Sequence, residues 1–376
     1  MAGIYVHVPF CRKACHYCDF HFSTSLAKRS DMVQAICTEL MTRGKELKSQ
    51  TIETVYFGGG TPSVLTKAEL VDIFNAIQSN YTLADKIECT LEANPDDCSQ
   101  VNLENWYSVG INRLSIGVQS FRQEDLDWMN RSHNSSQAID SILKASEVGF
   151  KSINLDLIYG VPSMPKEAWE QNVKQAFALP INHISAYSLT VEKGTALHHF
   201  IKTEKYPALD EEKAASEFEY FLKAIERNGW EQYEISNYCK PRQYAEHNTN
   251  YWKQKPYIGV GPSAHSFING ERRWNISNNT KYLKASTEEI AFHESERLTL
   301  QDRTNEYIML GLRTKWGVNT DVLLTEFGHD ILKVSTIEIS DLTKRGKLVF
   351  ESGWLKLTKE GKLIADYVAS GLFTVE

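Results

Sequence analysis

Over its first 190 residues the chain alternates short apolar runs with amphipathic stretches, and this rhythm constrains its fold more than any other feature. The apolar runs fall at 4–9, 54–57, 87–93, 113–117, 152–158 and 183–188. Helical periodicity fills the gaps at 30–48, 67–79, 101–109, 135–148 and 166–178. Strands separated by helical crossovers pair in parallel, which predicts an α/β sheet or barrel. Local signals agree. Thr66 followed by Glu69 is a capping-box pattern before the second helix. Gly110 and Gly149 stand where helix ends need a left-handed residue. Eight units are not visible, so the expectation is an open six-unit β/α barrel.

Directly after the first strand comes Cys11-Arg12-Lys13-Ala14-Cys15-His16-Tyr17-Cys18. Three thiolates at C-x3-C-x2-C spacing suit a cubane 4Fe–4S cluster and leave one iron without a protein ligand. An open coordination position is where a metal centre does its chemistry. Tyr17 and Phe20 would give the cluster an apolar shell. Zinc with a distant fourth ligand, or plain buried thiols, is the alternative. Zinc sites usually pair two C-x2-C units, whereas Cys37, Cys89, Cys98 and Cys239 are scattered singly. Seven cysteines, three of them committed, argue against a disulfide framework and for a reducing compartment. The first residues read as a strand rather than a signal peptide, and no run reaches the ~18 residues of a membrane span. A cytoplasmic protein is expected, with peripheral membrane contact left open.

Further polar residues follow successive strands, where α/β barrels place their chemistry. Gly58-Gly59-Gly60-Thr61-Pro62 ends the second strand, and its glycines allow close backbone approach to a ligand. Glu92 ends the third strand, Gln119 follows the fourth, Asp156 lies in the fifth, and Arg131 comes after the fourth. Each alone reads more readily as a cap, a turn or a solvated charge. Together they would ring one barrel mouth. Carboxylates there can accept from ribose hydroxyls, and an amide or guanidinium can hold a carboxylate.

In combination, the 5–11 run, the cysteine motif, GGGTP, Glu-Ala-Asn-Pro, Gly-Val-Gln-Ser-Phe and Asn-Leu-Asp-Leu-Ile-Tyr-Gly resemble the oxygen-independent coproporphyrinogen III oxidase family of radical S-adenosylmethionine (SAM) proteins. The resemblance covers nearly the whole chain. It implies a radical SAM barrel, with Cys11, Cys15 and Cys18 on the cluster and SAM chelating the open iron. It also implies SAM contacts from Tyr5, Tyr17, Gly59, Gly60, Thr61, Glu92, Gln119, Arg131 and Asp156.

Two branches of that family differ at residues visible here. The oxidase branch carries a further cysteine two residues past the third, where this chain has Phe20. It also has a longer N-terminal arm, whereas this chain opens almost on the motif. The haem chaperone branch is similar in its Cys-Asp-Phe and in a signature HNxxYW, here His247-Asn248-Thr249-Asn250-Tyr251-Trp252. Imidazole is a normal axial haem ligand, and flanking aromatics can cover a porphyrin. The resemblance thus implies haem at His247, with Tyr251 and Trp252 over the ring and Asn248 orienting the imidazole. A surface histidine in an aromatic loop is the plainer alternative. His265 is a weaker second candidate. His7, His16 and His21 read as donors behind the cysteines or as surface residues, and His198-His199 as a solvated pair.

The remainder divides by composition. After a helix at 209–228, residues 231–296 are dense in Trp, Tyr and Asn and predict short strands and loops. Helices at 302–313, 321–327, 335–344 and 359–372, with a hairpin at 348–357, predict a winged-helix-like α+β module over 297–376. That module reads as a lid or docking surface over the barrel mouth. The domains expected are therefore 1–230, 231–296 and 297–376. The net charge of −7 and the mixed charge of the module argue against nucleic acid as a partner. The expectation is a cytosolic haem chaperone on a radical SAM scaffold. It would bind haem and deliver it to acceptors such as respiratory enzymes at the membrane, and a homodimer stays open. The runner-up is a radical SAM enzyme oxidising a porphyrinogen.

Overall fold

A computed structural model describes residues 1–288 and 293–374. The six apolar runs form β1 (Ala2–Val8), β2 (Thr51–Gly59), β3 (Thr82–Ala93), β4 (Arg113–Gln119), β5 (Ser152–Tyr159) and β6 (His183–Ser188), adjacent in chain order. Every neighbouring pair among them is parallel. The crossovers are helical for the reasons the sequence shows. Lys67–Asn80 begins with a reciprocal Thr66–Glu69 capping box, and Ser135–Val148 ends on Gly149 at φ +114°. Leu70, Ile73 and Ile77 of the first of these helices are fully buried in one core with Val55 and Phe57 of β2. Each such side chain contributes about 1.5–3 kcal/mol by leaving water.

Residues 231–296 extend this sheet at both edges. On one edge β7 (Glu231–Gln232) and β8 (Asn237–Cys239) add antiparallel to β6. On the other, β9 (Tyr257–Val260) pairs parallel to β1, with Ile4 opposite Ile258, and β10 (His265–Ile268), β11 (Glu271–Asn275) and β12 (His293–Arg297) follow antiparallel. The short strands expected there are present, each paired at a sheet edge, and the helices Glu246–Trp252 and Asn279–Glu288 lie between them. The strand order runs from β12 to β7 without closing, so the barrel is open.

The C-terminal module has its own core of Ile308, Leu312, Leu323, Leu348, Leu355 and Val368. Its sheet orders β13 (Val318–Asn319), β15 (Trp354–Leu357) and β14 (Leu348–Glu351), flanked by helices including Leu300–Leu312, Thr320–Phe327 and Thr336–Lys344. The helix expected at 359–372 is split into Lys359–Lys362 and Ala365–Gly371.

The module does not cover the mouth, contrary to the expectation of a lid there. It docks at the barrel floor, the end where the parallel strands begin. Lys315 N donates to Tyr233 O at 2.9 Å, and Lys315 Nζ reaches Glu231 Oε2 and Tyr244 Oη, both at 2.6 Å. Arg313 lies over the Trp252 ring and Lys253 over Trp316, at 5.6 and 4.6 Å from the ring centroids. These cation–π contacts and ion pairs draw the basic residues of 313–315 to the aromatic-rich floor rather than to the cysteine loop. Among the described residues no helix is long and apolar enough to cross a membrane.

Candidate cluster and cofactor site

The chain leaves β1 through Pro9 and Phe10 into the cysteine loop. Cys11 N donates to Ser23 O at 3.0 Å and Ser23 N to Pro9 O at 2.9 Å, which pins the loop's two ends together. The glycine run of β2 lies alongside. Gly60 N bonds Val8 O at 2.9 Å and Thr61 N bonds Phe10 O at 2.7 Å. Gly59 has φ +106°, and a Cβ there would lie 2.7 Å from the His7 ring, so no larger residue fits. Thr61 Oγ1 then donates to Cys11 Sγ at 3.2 Å.

Arg131 organises the other side. Its Nη1 donates to Cys15 Sγ at 3.2 Å and Tyr17 Oη at 3.4 Å, and its Nη2 to Asn94 Oδ1 at 2.8 Å and Gly117 O at 2.7 Å. Its buried Nε has no partner among the described residues. Burial pushes the Cys11 thiol up to about 11 and the Cys18 thiol up to about 12. A metal at these sulfurs would remove their protons outright. The N–H···S and O–H···S donors already aimed at Cys15 and Cys11 suit thiolates. The donor set therefore fits a three-thiolate cluster.

His7 and His16 support the loop, each donating from the ring to a backbone carbonyl, that of His21 at 3.0 Å and that of Trp128 at 2.8 Å. His21 pairs with Asn279 Oδ1 at 2.7 Å. Phe20, where the oxidase branch places its extra cysteine, is 67% exposed. His198 and His199 lie on the short helix Ala196–Lys202, whose Leu197 N bonds His16 O at 2.7 Å.

Beneath the loop the barrel holds a cavity of roughly 210 Å³ lined by Tyr5, Tyr56, Glu92, Arg113, Asp156 and His247 among others. Tyr56 Oη donates to Glu92 Oε1 at 2.7 Å, and Asn154 Nδ2 donates to Asp156 Oδ1 at 2.6 Å. Burial pushes the Glu92 carboxyl up to about 7 and raises that of Asp156 as well. A Cβ on Gly117 would meet Gln119 Nε2 and Arg131 Nη2, which places both beside the end of β4. Tyr5, Glu92 and Asp156 thus line the cavity, while Tyr17, Gly59, Gly60, Thr61, Gln119 and Arg131 lie at the mouth above it.

Several lining residues escaped the sequence reading: Tyr56, Arg113, Ser115, Asn154, Ser185 and Tyr187. Their signal was period-two alternation. Arg113, Ser115 and Gly117 alternate with Leu114 and Ile116; Asn154 and Asp156 with Ile153, Leu155 and Leu157; Ser185 and Tyr187 with Ile184 and Ala186. Polar residues at every second position of apolar strands mark an inward polar face.

The hexapeptide is not in a loop. It occupies the helix Glu246–Trp252, whose first two N–H groups donate to the Glu88 carboxylate at 2.8 and 2.9 Å. His247 is 2% exposed and points into the barrel floor. Its Nδ1 pairs with Thr54 Oγ1 at 2.7 Å and its Nε2 with Tyr251 Oη at 2.8 Å, so neither nitrogen is free. The ring stacks on Tyr56 at 5.1 Å. It approaches β1 so closely that a Cβ on Gly3 would lie 3.2 Å from its Cε1. Asn248, expected to orient the imidazole, bonds Tyr233 Oη at 3.0 Å instead. Thr54 and Tyr251 hold the ring. Trp252 faces Arg313 of the module rather than an open porphyrin-sized slot. His265 is exposed on β10 and stacks on Trp274 at 6.4 Å.

Comparison with known proteins settles the family. A model described as the radical SAM superfamily matches residues 5–176, and one described as the HemN C-terminal domain matches 298–364. The chain is 31% identical to heme chaperone HemW of Bacillus subtilis over 373 residues, covering 98% of each chain. The chain belongs to the HemW family of radical SAM proteins. Within that family it is also 34% identical to the Escherichia coli HemW over 71% of this chain and 70% of the other. A mouse protein named radical S-adenosyl methionine domain-containing protein 1, mitochondrial, is 30% identical over 97% of this chain and 86% of its own. Among solved structures, coproporphyrinogen III oxidase (HemN) from Escherichia coli superposes with a TM-score of 0.86 at 20% identity, covering 99% of this chain and 90% of the other. That likeness is one of fold, and it establishes the radical SAM barrel with its C-terminal module.

Proposed function

We propose that the protein is a haem chaperone. It holds a 4Fe–4S cluster on Cys11, Cys15 and Cys18, binds SAM at the barrel mouth, and delivers haem to acceptors such as respiratory enzymes. The observation that carries this reading is end-to-end similarity to a HemW protein, 98% of both chains, in a molecule whose Phe20 stands exposed where the oxidase branch has its extra cysteine.

When bound, the cluster and SAM supply one-electron chemistry. The chain's own residues bind and orient. Three sulfurs hold the cluster, and Arg131 and Thr61 fix two of them by hydrogen bonds. Glu92 and Asp156 would accept from the ribose hydroxyls of SAM, and Tyr56 keeps Glu92 in place. Arg131, Gln119 and the Gly59–Gly60 backbone bound the space above.

Haem does not fit at the hexapeptide in this conformation. Both nitrogens of His247 are bonded within the protein. Ligation by His247 would require the floor to open.

Anaerobic reconstitution followed by two assays tests the proposal. Haem titration should give saturable binding with a defined Soret band. Incubation with reductant, SAM and coproporphyrinogen III should yield no protoporphyrinogen by porphyrin chromatography. Efficient decarboxylation would promote the oxidase reading in place of the chaperone.

A further inference from the structure

Below the cofactor site runs a hydrogen-bond chain whose direction is fixed by its chemistry. Asn154 Nδ2 lies 2.6 Å from Asp156 Oδ1, with branches to Ser115 Oγ at 2.7 Å and Ser185 Oγ at 2.9 Å, and Asn154 Oδ1 lies 2.6 Å from His183 Nδ1. An amide oxygen only accepts, so Nδ1 carries the proton. His183 is 1% exposed, and burial holds its pKa well below the usual value, so the ring is neutral and Nε2 is an acceptor. Tyr233 Oη, 2.8 Å away, therefore donates to it. The oxygen of Tyr233 in turn accepts from Asn248 Nδ2 at 3.0 Å. Four donors point the same way, from the hexapeptide helix to the Asp156 carboxylate. Bonds aligned head to tail polarise one another, and the charge at the end strengthens each of them.

Tyr233 also holds the C-terminal module. Its backbone oxygen accepts from Lys315 N at 2.9 Å, and its ring lies 6.3 Å from that of Trp316. The module and the carboxylate at the cofactor cavity thus grip two ends of one residue.

We propose that this chain couples SAM binding to the docking of the hexapeptide helix and the C-terminal module, with negative sign, and that His183 and Tyr233 are its positioning residues. The inference rests on the reading that Asp156 takes part in holding SAM. A ribose hydroxyl donating to Asp156 would draw charge from the carboxylate that anchors the chain. The donors behind it weaken in turn, and the floor around Asn248 and Tyr233 loosens. By reciprocity, cutting the chain frees Asp156 for the ligand.

Hydrogen exchange on the anaerobically reconstituted full chain tests this, with SAM binding followed by equilibrium dialysis. In the native protein, saturating SAM should speed exchange in 246–252 and 313–316 by about fivefold, the low end of coupling between sites. Tyr233→Phe removes one hydroxyl and keeps the ring. It should make exchange in these segments independent of SAM and tighten SAM binding by about the same fivefold factor. A merely structural tyrosine would weaken SAM binding when replaced. His183→Gln should act in the same direction and provides a second break in the chain. SAM that binds the native protein without altering exchange, or that slows it, overturns the coupling while leaving the cofactor site standing. Failure of SAM to bind the native protein overturns both.

Discussion

Serine in place of Cys11, Cys15 or Cys18 is expected to abolish the brown chromophore and the cluster iron. In the proposed arrangement each sulfur is one of three protein ligands, and a hydroxyl is a poor substitute for a thiolate. The same change at Cys37, Cys89, Cys98 or Cys239 should leave iron unaltered after anaerobic reconstitution. Those four are buried elsewhere: Cys89 and Cys239 sit within β3 and β8, Cys37 in the helix Arg29–Arg43, and Cys98 against Asn94 O. Burial raises all four thiols, Cys37 to about 11 and Cys239 to about 12, so they remain inert and protonated. Metal analysis and the charge-transfer absorption provide the readout. Loss of iron from a correctly folded distal variant would contradict the open-iron arrangement.

The second large effect is expected at His247, and it concerns stability rather than spectroscopy. His247→Ala leaves Thr54 Oγ1 and Tyr251 Oη without their buried partner and opens a void beside Gly3 and Tyr56. Unmet buried hydrogen bonds and cavity formation together should cost about 3 kcal/mol. His265→Ala, at an exposed strand position, should change stability by less than about 0.5 kcal/mol. Urea unfolding measures both. Because neither nitrogen of His247 is free in the closed floor, the Soret band of added haem should be unchanged in a folded His247 variant. A fully stable His247→Ala protein with a displaced Soret band would place the haem iron on that imidazole and overturn the floor assignment.

The barrel was legible in the sequence because its signals are local. Strand runs, crossover periodicity, the Thr66 cap and Gly149 each act within a few residues. The mouth was legible for a related reason: Cys11, Gly59, Glu92 and Gln119 each stand at or just past the end of a successive strand, and the parallel sheet brings those ends together. The edges of the sheet were not legible. Nothing within Tyr257–Val260 specifies that it lies parallel to β1, a partner some 250 residues away. The floor was missed for the same reason. His247 in isolation is a histidine among aromatics, and its character comes from Thr54 on β2 and Gly3 on β1. The module was expected as a lid or docking surface over the mouth, whereas its position is set by Arg313, Lys315 and Trp316 meeting Trp252, Tyr233 and Tyr244.

The most direct test of the central claim is haem transfer. Haem-loaded protein, with cluster reconstituted anaerobically and SAM present, is mixed with the apo form of a respiratory haem protein in detergent, and the acceptor's Soret band and regained activity are followed. Haem is expected to leave this protein and appear in the acceptor faster than from an equal concentration of free haem buffered by albumin. Transfer no faster than from albumin, in a preparation with intact cluster and bound haem, would contradict the assignment as a haem chaperone.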